Sequence, residues 1–242
     1  MPLSDKTAFV TGAAGAIGSA IAAALARQGA RVVLADIAAE AVQDLASKLD
    51  ATALVVDLAD AAAVEEAGAA LSLDGIDILI NNAGTLSNNK IADTSLQEWR
   101  RVNAINIDAA FILSRLLLPG MRARRWGRII NMSSFAAKSG GLTAGTAYSV
   151  SKASLIGLTF SIAREAAADG VTVNAIAPAY VMSDMVSKQL TTEQRDDQLA
   201  KIPVGRFCQP EEVAHTVAFL ASPLAGFITG EVIDMNGGLQ FD

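Results

Sequence analysis

One cysteine and one histidine are the only such side chains in this chain of 242 residues. Cys208 has no partner for an intrachain disulfide, so the fold holds without covalent staples and suits a reducing compartment. His215, in EEVAHTVAFLA, lies far from every motif described below and reads as a helix-surface or interface residue. No metal site is expected. Positive charge is also scarce, with 19 Lys and Arg against 25 Asp and Glu and a formal net charge of −6. The one basic run, MRARRWGR (Met121 to Arg128), is short and falls between elements. Surfaces that grip phosphate backbones carry a basic surplus, so no nucleic-acid partner is expected. No apolar run approaches the ~20 residues of a membrane span, so no membrane partner is expected either. The opening stretch MPLSDKTAFVTG enters a strand without a charged head and apolar signal core. These absences predict a soluble, cytoplasmic protein.

Apolar residues are plentiful, at 52% of the chain, and they fall in an alternating pattern. Short runs rich in β-branched residues predict strands at 7–11, 31–36, 52–58, 76–82, 127–133, 171–177 and 231–236. Ala- and Leu-rich segments between them have helical periodicity at 17–28, 38–49, 60–71, 95–118, 147–168 and 210–221. Pro119-Gly120 is expected to stop the fourth helix, and Pro210 to open the last. Strands that are apolar along their whole length need cover on both faces. The series therefore predicts an α/β fold, a doubly wound seven-stranded parallel sheet with helices on both sides. No linker or repeat interrupts it, so residues 1–242 read as a single domain. The widest gap, 178–209, is long enough for a substrate lid. Met182, Met185, Val186 and Leu190 would line that lid or simply pack within it.

Two features point to a dinucleotide. TGAAGAIG (11–18) follows the first strand and opens the first helix. Gly12, Gly15 and Gly18, with Ala16 and Ile17 between them, would turn the chain tightly and bring backbone N–H groups to a pyrophosphate. Asp36 ends the second strand, about 20 residues beyond the loop, where a carboxylate can accept from both adenosine ribose hydroxyls. The same charge would repel a 2′-phosphate, and neither Ala14 nor Ile37 offers a cation to offset it. NAD is therefore the expected cofactor.

SSFAAKSGGLTAGTAYSVSK (133–152) holds the candidate chemistry. Tyr148 and Lys152 are four residues apart on a predicted helix, so they share a face. Hydride exchange between an alcohol and a nicotinamide requires a proton to leave or join the substrate oxygen. A tyrosine can carry it, but its ordinary pKa of ~10 is high for neutral pH. The Lys152 ammonium is expected to lower it. A serine hydroxyl would share the charge that develops on the substrate oxygen.

In these motifs and their order, the chain resembles the short-chain dehydrogenase/reductase family, in its compact single-domain form with a Rossmann-type sheet. The resemblance rests on TGAAGAIG, Asp36, Asp57, NNAG (81–84), Asn106 seven positions past Trp99, the Ser134/Tyr148/Lys152 set, and Asn174 with Pro178. It implies that Asp57 and Leu58 border the adenine. Asn82, Ala83 and Gly84 would pass the adenosine ribose and support the sheet. Pro178 and Val181 would face the nicotinamide, with Ser183 in place of the family threonine. Lys152 would also hold the nicotinamide ribose, and Asn106 a water in a proton relay. The family serine is usually the second of a Ser-Ser pair. Here 13 residues separate Ser134 from Tyr148, one more than usual, and the loop KSGGLTAGTA is expected to absorb the extra residue. Neighbouring strand residues point to opposite sides, and Ser134, nearer the strand's end, is assigned to the site.

The expected activity is NAD-dependent hydride transfer to or from a secondary alcohol: a sugar, a polyol or another hydroxy compound. A second expectation is an NADP-dependent 3-ketoacyl-thioester reductase, which shares all these motifs. A third, of another class, is a non-catalytic NAD-binding interaction protein. Surplus apolar residues on the fourth and fifth predicted helices, together with the family's habit of pairing, imply a homotetramer.

Overall fold

The first strand, β1 (Thr7–Thr11), is buried at every position. This computed structural model describes residues 1–182 and 191–241. Around β1 lie β2 (Arg31–Asp36), β3 (Thr52–Val55), β4 (Ile78–Asn81), β5 (Gly127–Met132), β6 (Val171–Pro178) and β7 (Val232–Met235). All pair in parallel, in the spatial order β3-β2-β1-β4-β5-β6-β7. β4, β5 and β6 are also buried throughout, which is why their sequences show no apolar–polar alternation.

The helices are α1 (Ala16–Arg27), α2 (Ala39–Leu49), α3 (Ala61–Asp74), α4 (Leu96–Asn103), α5 (Ala109–Ala123), α6 (Ala136–Ser139), α7 (Thr146–Ala166), α8 (Thr192–Leu199) and α9 (Pro210–Ala221). They form two layers because strand side chains alternate between faces. Val10, Ile80, Ile130 and Ile176 pack with Ile21 and Leu25 of α1 and Val213 and Val217 of α9. Phe9, Leu79, Ile129 and Val173 pack on the other face with Val64 of α3, Leu113 and Leu117 of α5, and Ile162 of α7. The strand order reverses direction between β1 and β4. A crevice opens at the carboxyl ends of the strands there, as in other open α/β sheets.

Several boundaries differ from the predicted ones. β3 ends at Val55, three residues early. The predicted helix over 95–118 has a π-helical turn in its middle, Ala104–Asp108, which carries Asn106. Pro119 lies inside α5 and does not end it. Its ring is on the exposed side, where water can serve the carbonyl that loses its donor, so the helix continues to Ala123. The combined helix Leu96–Ala123 is long and apolar enough to cross a bilayer, yet half of its apolar window is buried within the protein. The basic run at 121–128 does not fall between elements but overlaps the end of α5 and the start of β5, and it is not free. Arg122 and Arg125 pair with Asp169, and Arg124 with Asp77.

Candidate active site

The cleft at the switch point begins with the glycine loop. Gly12 has φ +63°, and a Cβ there would stand 2.7 Å from the Ala83 Cα. A Cβ on Gly18 would stand 2.1 Å from the Gly12 carbonyl. Only bare backbone lets the loop close this tightly against the segment after β4. Asn82 locks the two together, donating from Nδ2 to the carbonyls of Thr11 at 2.9 Å and Gly12 at 3.1 Å. Gly15 precedes α1 without any side-chain cap, so the first N–H groups of that helix face the cleft as a ready anion seat.

Asp36 stands at the far wall. Its carboxylate accepts from the N–H of Ala14 at 2.9 Å and of Ala38 at 3.0 Å, which fixes it beside the loop. The residues near it along the cleft wall, Ala14, Ser19, Ala38 and Ala41, bring no positive charge. Among the described lining residues Lys152 is the one cation. The cleft measures about 780 Å³, a volume suited to a large ligand. A dinucleotide fits these walls: a glycine cradle, an uncapped helix start and an acceptor at the adenosine end.

β5 and α7 bring the other end together. Ser134 follows β5, its hydroxyl accepts from the Ala136 N–H at 3.1 Å, and it borders the same cleft as Tyr148. Ser133 also borders the cleft, but its hydroxyl is taken up in donating to the Lys152 carbonyl at 2.8 Å. Lys152 is 4% exposed, and its Nζ donates to the Met132 carbonyl at 2.7 Å. Burial pulls the Lys152 ammonium down to about 8. Its Nζ lies 5.8 Å from the centre of the Tyr148 ring. The expected lowering of Tyr148 by that ammonium is not what the site displays. Burial pushes the phenol up, and the neighbouring Ser134 hydroxyl draws it back only in part. The segment between Ser134 and Tyr148 turns at Gly140 and Gly141, both at positive φ.

The predicted residues Gly12, Gly15, Ala16, Ile17, Gly18, Asp36, Asn82, Ala83, Gly84, Ser134, Tyr148, Lys152, Pro178 and Val181 line this one cleft. Four others do not. Ile37 points to solvent, 64% exposed. Asp57 is exposed and turns back to the Ala59 N–H. Leu58 and Asn106 border a smaller cavity behind the loop. Asn106 is buried, and its amide bonds are made to the backbone of Thr85 and to Ser151 Oγ. Ser183 lies outside the described residues, with Met185, Val186 and Leu190. The sequence reading missed Ala38, Ala41, Leu86 and Met132 as lining residues. Their one signal was position, just after Asp36, just after NNAG or just before the serine pair.

Comparison with known proteins fits this geometry. The family model described as enoyl-(acyl carrier protein) reductase matches residues 12–240. The 3-oxoacyl-[acyl-carrier-protein] reductase FabG of Vibrio cholerae is 41% identical over 244 residues, covering 99% of each chain. The chain belongs to the short-chain dehydrogenase/reductase family. The FabG proteins of Rickettsia conorii and Escherichia coli are 42% and 37% identical, over 98% and 99% of each chain. A structure described as a putative NAD(P)-dependent gluconate 5-dehydrogenase of Beutenbergia cavernae, with NADP bound at low occupancy, superposes with a TM-score of 0.94. It is 36% identical and covers 99% of each chain. A short-chain dehydrogenase/reductase of Brucella melitensis described as a glucose/ribitol dehydrogenase gives 0.91 at 31% identity, covering 100% of this chain and 99% of its own. As a member of this family the chain is an oxidoreductase that binds a nicotinamide dinucleotide.

Proposed function

We propose that this short-chain dehydrogenase/reductase reduces the 3-oxo group of an acyl thioester, with NADH as the preferred cofactor. The observation that carries the reading is the meeting of Tyr148, Ser134 and Lys152 in one cleft with the glycine cradle and Asp36. A phenol held protonated is the form that can give its proton to a carbonyl oxygen as it becomes an alcohol. The bound nicotinamide would supply the hydride. Ser134 donates to the same substrate oxygen and shares its growing negative charge. Lys152 holds the nicotinamide ribose and keeps a positive charge near the phenol that has lost its proton. Asn106 fixes the Thr85 backbone and Ser151, one turn from Tyr148, and so braces the helix from behind.

The acyl-thioester substrate draws on the names of the FabG relatives, which cover the full chain at about 40% identity. They favour this substrate over the general alcohol dehydrogenase first expected. The NADP of the Beutenbergia neighbour favours the phosphorylated cofactor. Asp36 weighs more here, because its carboxylate is fixed by two backbone N–H groups and none of the described residues beside it on the cleft wall is a cation. A second reading, oxidation of a sugar or polyol, is favoured by the descriptions of the two structural neighbours.

The test is NADH consumption with acetoacetyl thioester. Crotonyl thioester serves as the control for enoyl reduction, and gluconate and ribitol with NAD as controls for the second reading. Turnover of acetoacetyl thioester at least tenfold above the others is expected. Turnover of a polyol alone would replace this reading with the second.

A further inference from the structure

Tyr148 stands near the start of a helix that has no cap of its own. Gly145, just before α7, brings no side chain to receive the first N–H groups. Such groups need acceptors from elsewhere. The Gly145 N–H donates to the Ser87 carbonyl at 2.7 Å, and the Thr146 N–H to the Asn89 carbonyl at 3.0 Å. A Cβ on Gly145 would stand 2.4 Å from that Asn89 oxygen, so the two segments meet on bare backbone. Glu98 of α4 steadies the accepting segment of this contact, itself accepting from Ser87 Oγ and from Asn89 Nδ2.

Lys90, the next residue, closes the arrangement. Its Nζ donates to the carbonyls of Gly141 at 2.6 Å and Ala144 at 2.7 Å, with Leu142 more distant at 3.5 Å. These carbonyls belong to the loop between α6 and α7. Gly140 and Gly141 leave that loop conformationally free, and one ammonium with three donors gathers it. Among the described residues Lys90 makes no ion pair, and it does not line the cleft.

We infer that Lys90 is a positioning residue for Tyr148: by tying the 141–144 loop to the segment after β4, it sets where α7 begins and hence where the phenol stands relative to Ser134. This rests on Tyr148 being the proton carrier of the proposed function.

The test uses the full chain with Lys90→Met, which keeps the apolar stem and loses the donors, Lys90→Arg, which restores donors, and Tyr148→Phe. Lys90→Gln replaces Lys90→Met if the latter does not fold. The readouts are kcat and KM for acetoacetyl thioester, NADH affinity by fluorescence titration, and the melting temperature. A misplacement near 1 Å can cost about a hundredfold, so Lys90→Met should lower kcat by about tenfold to a hundredfold, assayed well below its melting temperature. NADH affinity should stay within about twofold, and Lys90→Arg should recover most of the rate. A fully active Lys90→Met beside an inactive Tyr148→Phe overturns this inference alone. So does a loss of rate that merely follows a loss of NADH affinity. An active Tyr148→Phe overturns the proposed function and this inference with it.

Discussion

Ser133 donates a 2.8 Å hydrogen bond to the backbone carbonyl of Lys152, while Ser134, its neighbour, accepts from the Ala136 N–H and borders the cleft with Tyr148. The serine pair thus divides between joining β5 to α7 and offering a hydroxyl to the cleft. Ser133→Ala should act mainly on stability, at about 1 kcal/mol, the usual net worth of one buried hydrogen bond. Ser134→Ala should cut kcat by about a hundredfold or more, the scale of one lost oxyanion-type donor. Urea midpoints and steady-state rates on the two variants check this. The reversed pattern would place the strand end out of register by one residue.

Lys152 links this site to stability. Burial lowers its ammonium from the ordinary value of 10.5 to about 8. A depressed ammonium means that the folded state releases its proton before the unfolded chain does. The folded protein is therefore penalised below pH 8, and the penalty is relieved as pH rises from there toward 10.5. From pH 7 to about 9.5 this contributes about 2 kcal/mol of gained stability. Tyr148 acts with the opposite sign, but only above its ordinary value of 10, where the unfolded phenol ionises and the folded one does not. Lys152→Met removes the ammonium and leaves other groups in place. Urea midpoints at the two pH values should rise less in Lys152→Met than in the parent by about that amount. Equal slopes in both proteins would contradict the assignment.

The glycine cradle makes a sharp prediction. A Cβ at Gly18 would meet the Gly12 carbonyl at 2.1 Å, and backbone cannot yield as a flexible side chain can. Gly18→Ala should weaken NADH binding by about tenfold or more without unfolding the protein, since an overpacked site typically costs ~1–3 kcal/mol. Fluorescence titration and thermal melting together check it.

Much of this fold was legible in the sequence because strand and helix differ in period. β1, β2 and α9 fall where the apolar runs and Pro210 put them. The π turn carrying Asn106 was not legible. One widened turn leaves the apolar stripe of 95–118 almost unchanged. Pro119 misled for a different reason: a proline inside a helix removes one hydrogen bond but need not end the helix, and the sequence alone does not say that its ring is on the exposed side. In the site, residues with a chemical signature were found, such as Asp36 and Lys152. Ala38 and Ala41 have no signature, and only the start of α2 brings them to the cleft. The direction of the Tyr148 shift was missed because it depends on how deeply the helix start is buried, which spacing does not reveal.

Assembly follows from apolar surface. Phe111 of α5, half exposed, lines a groove of about 450 Å³ with Leu118, Leu158 and Ile162, and Phe160 of α7 is likewise half exposed. Leu224 and Phe227, after α9, are almost fully exposed. Two separate apolar faces suit two two-fold axes, and a homotetramer of 25.0 kDa chains, about 100 kDa, is expected at micromolar concentration. Phe160→Glu should reduce it to a smaller species by light scattering. A monomeric parent would contradict the expectation.

The central claim is reduction of a 3-oxoacyl thioester with a cofactor chosen by Asp36, and one experiment tests both halves. The measurement is kcat/KM for acetoacetyl thioester with NADH and with NADPH, in the parent and in Asp36→Ala. The parent should favour NADH by about 30-fold or more, since the lost charge-assisted bond and the added repulsion are worth ~2–4 kcal/mol. Asp36→Ala should erase most of that preference while leaving acetoacetyl thioester the best substrate. Equal or better use of NADPH by the parent, or no turnover of the thioester with either cofactor, would contradict the account.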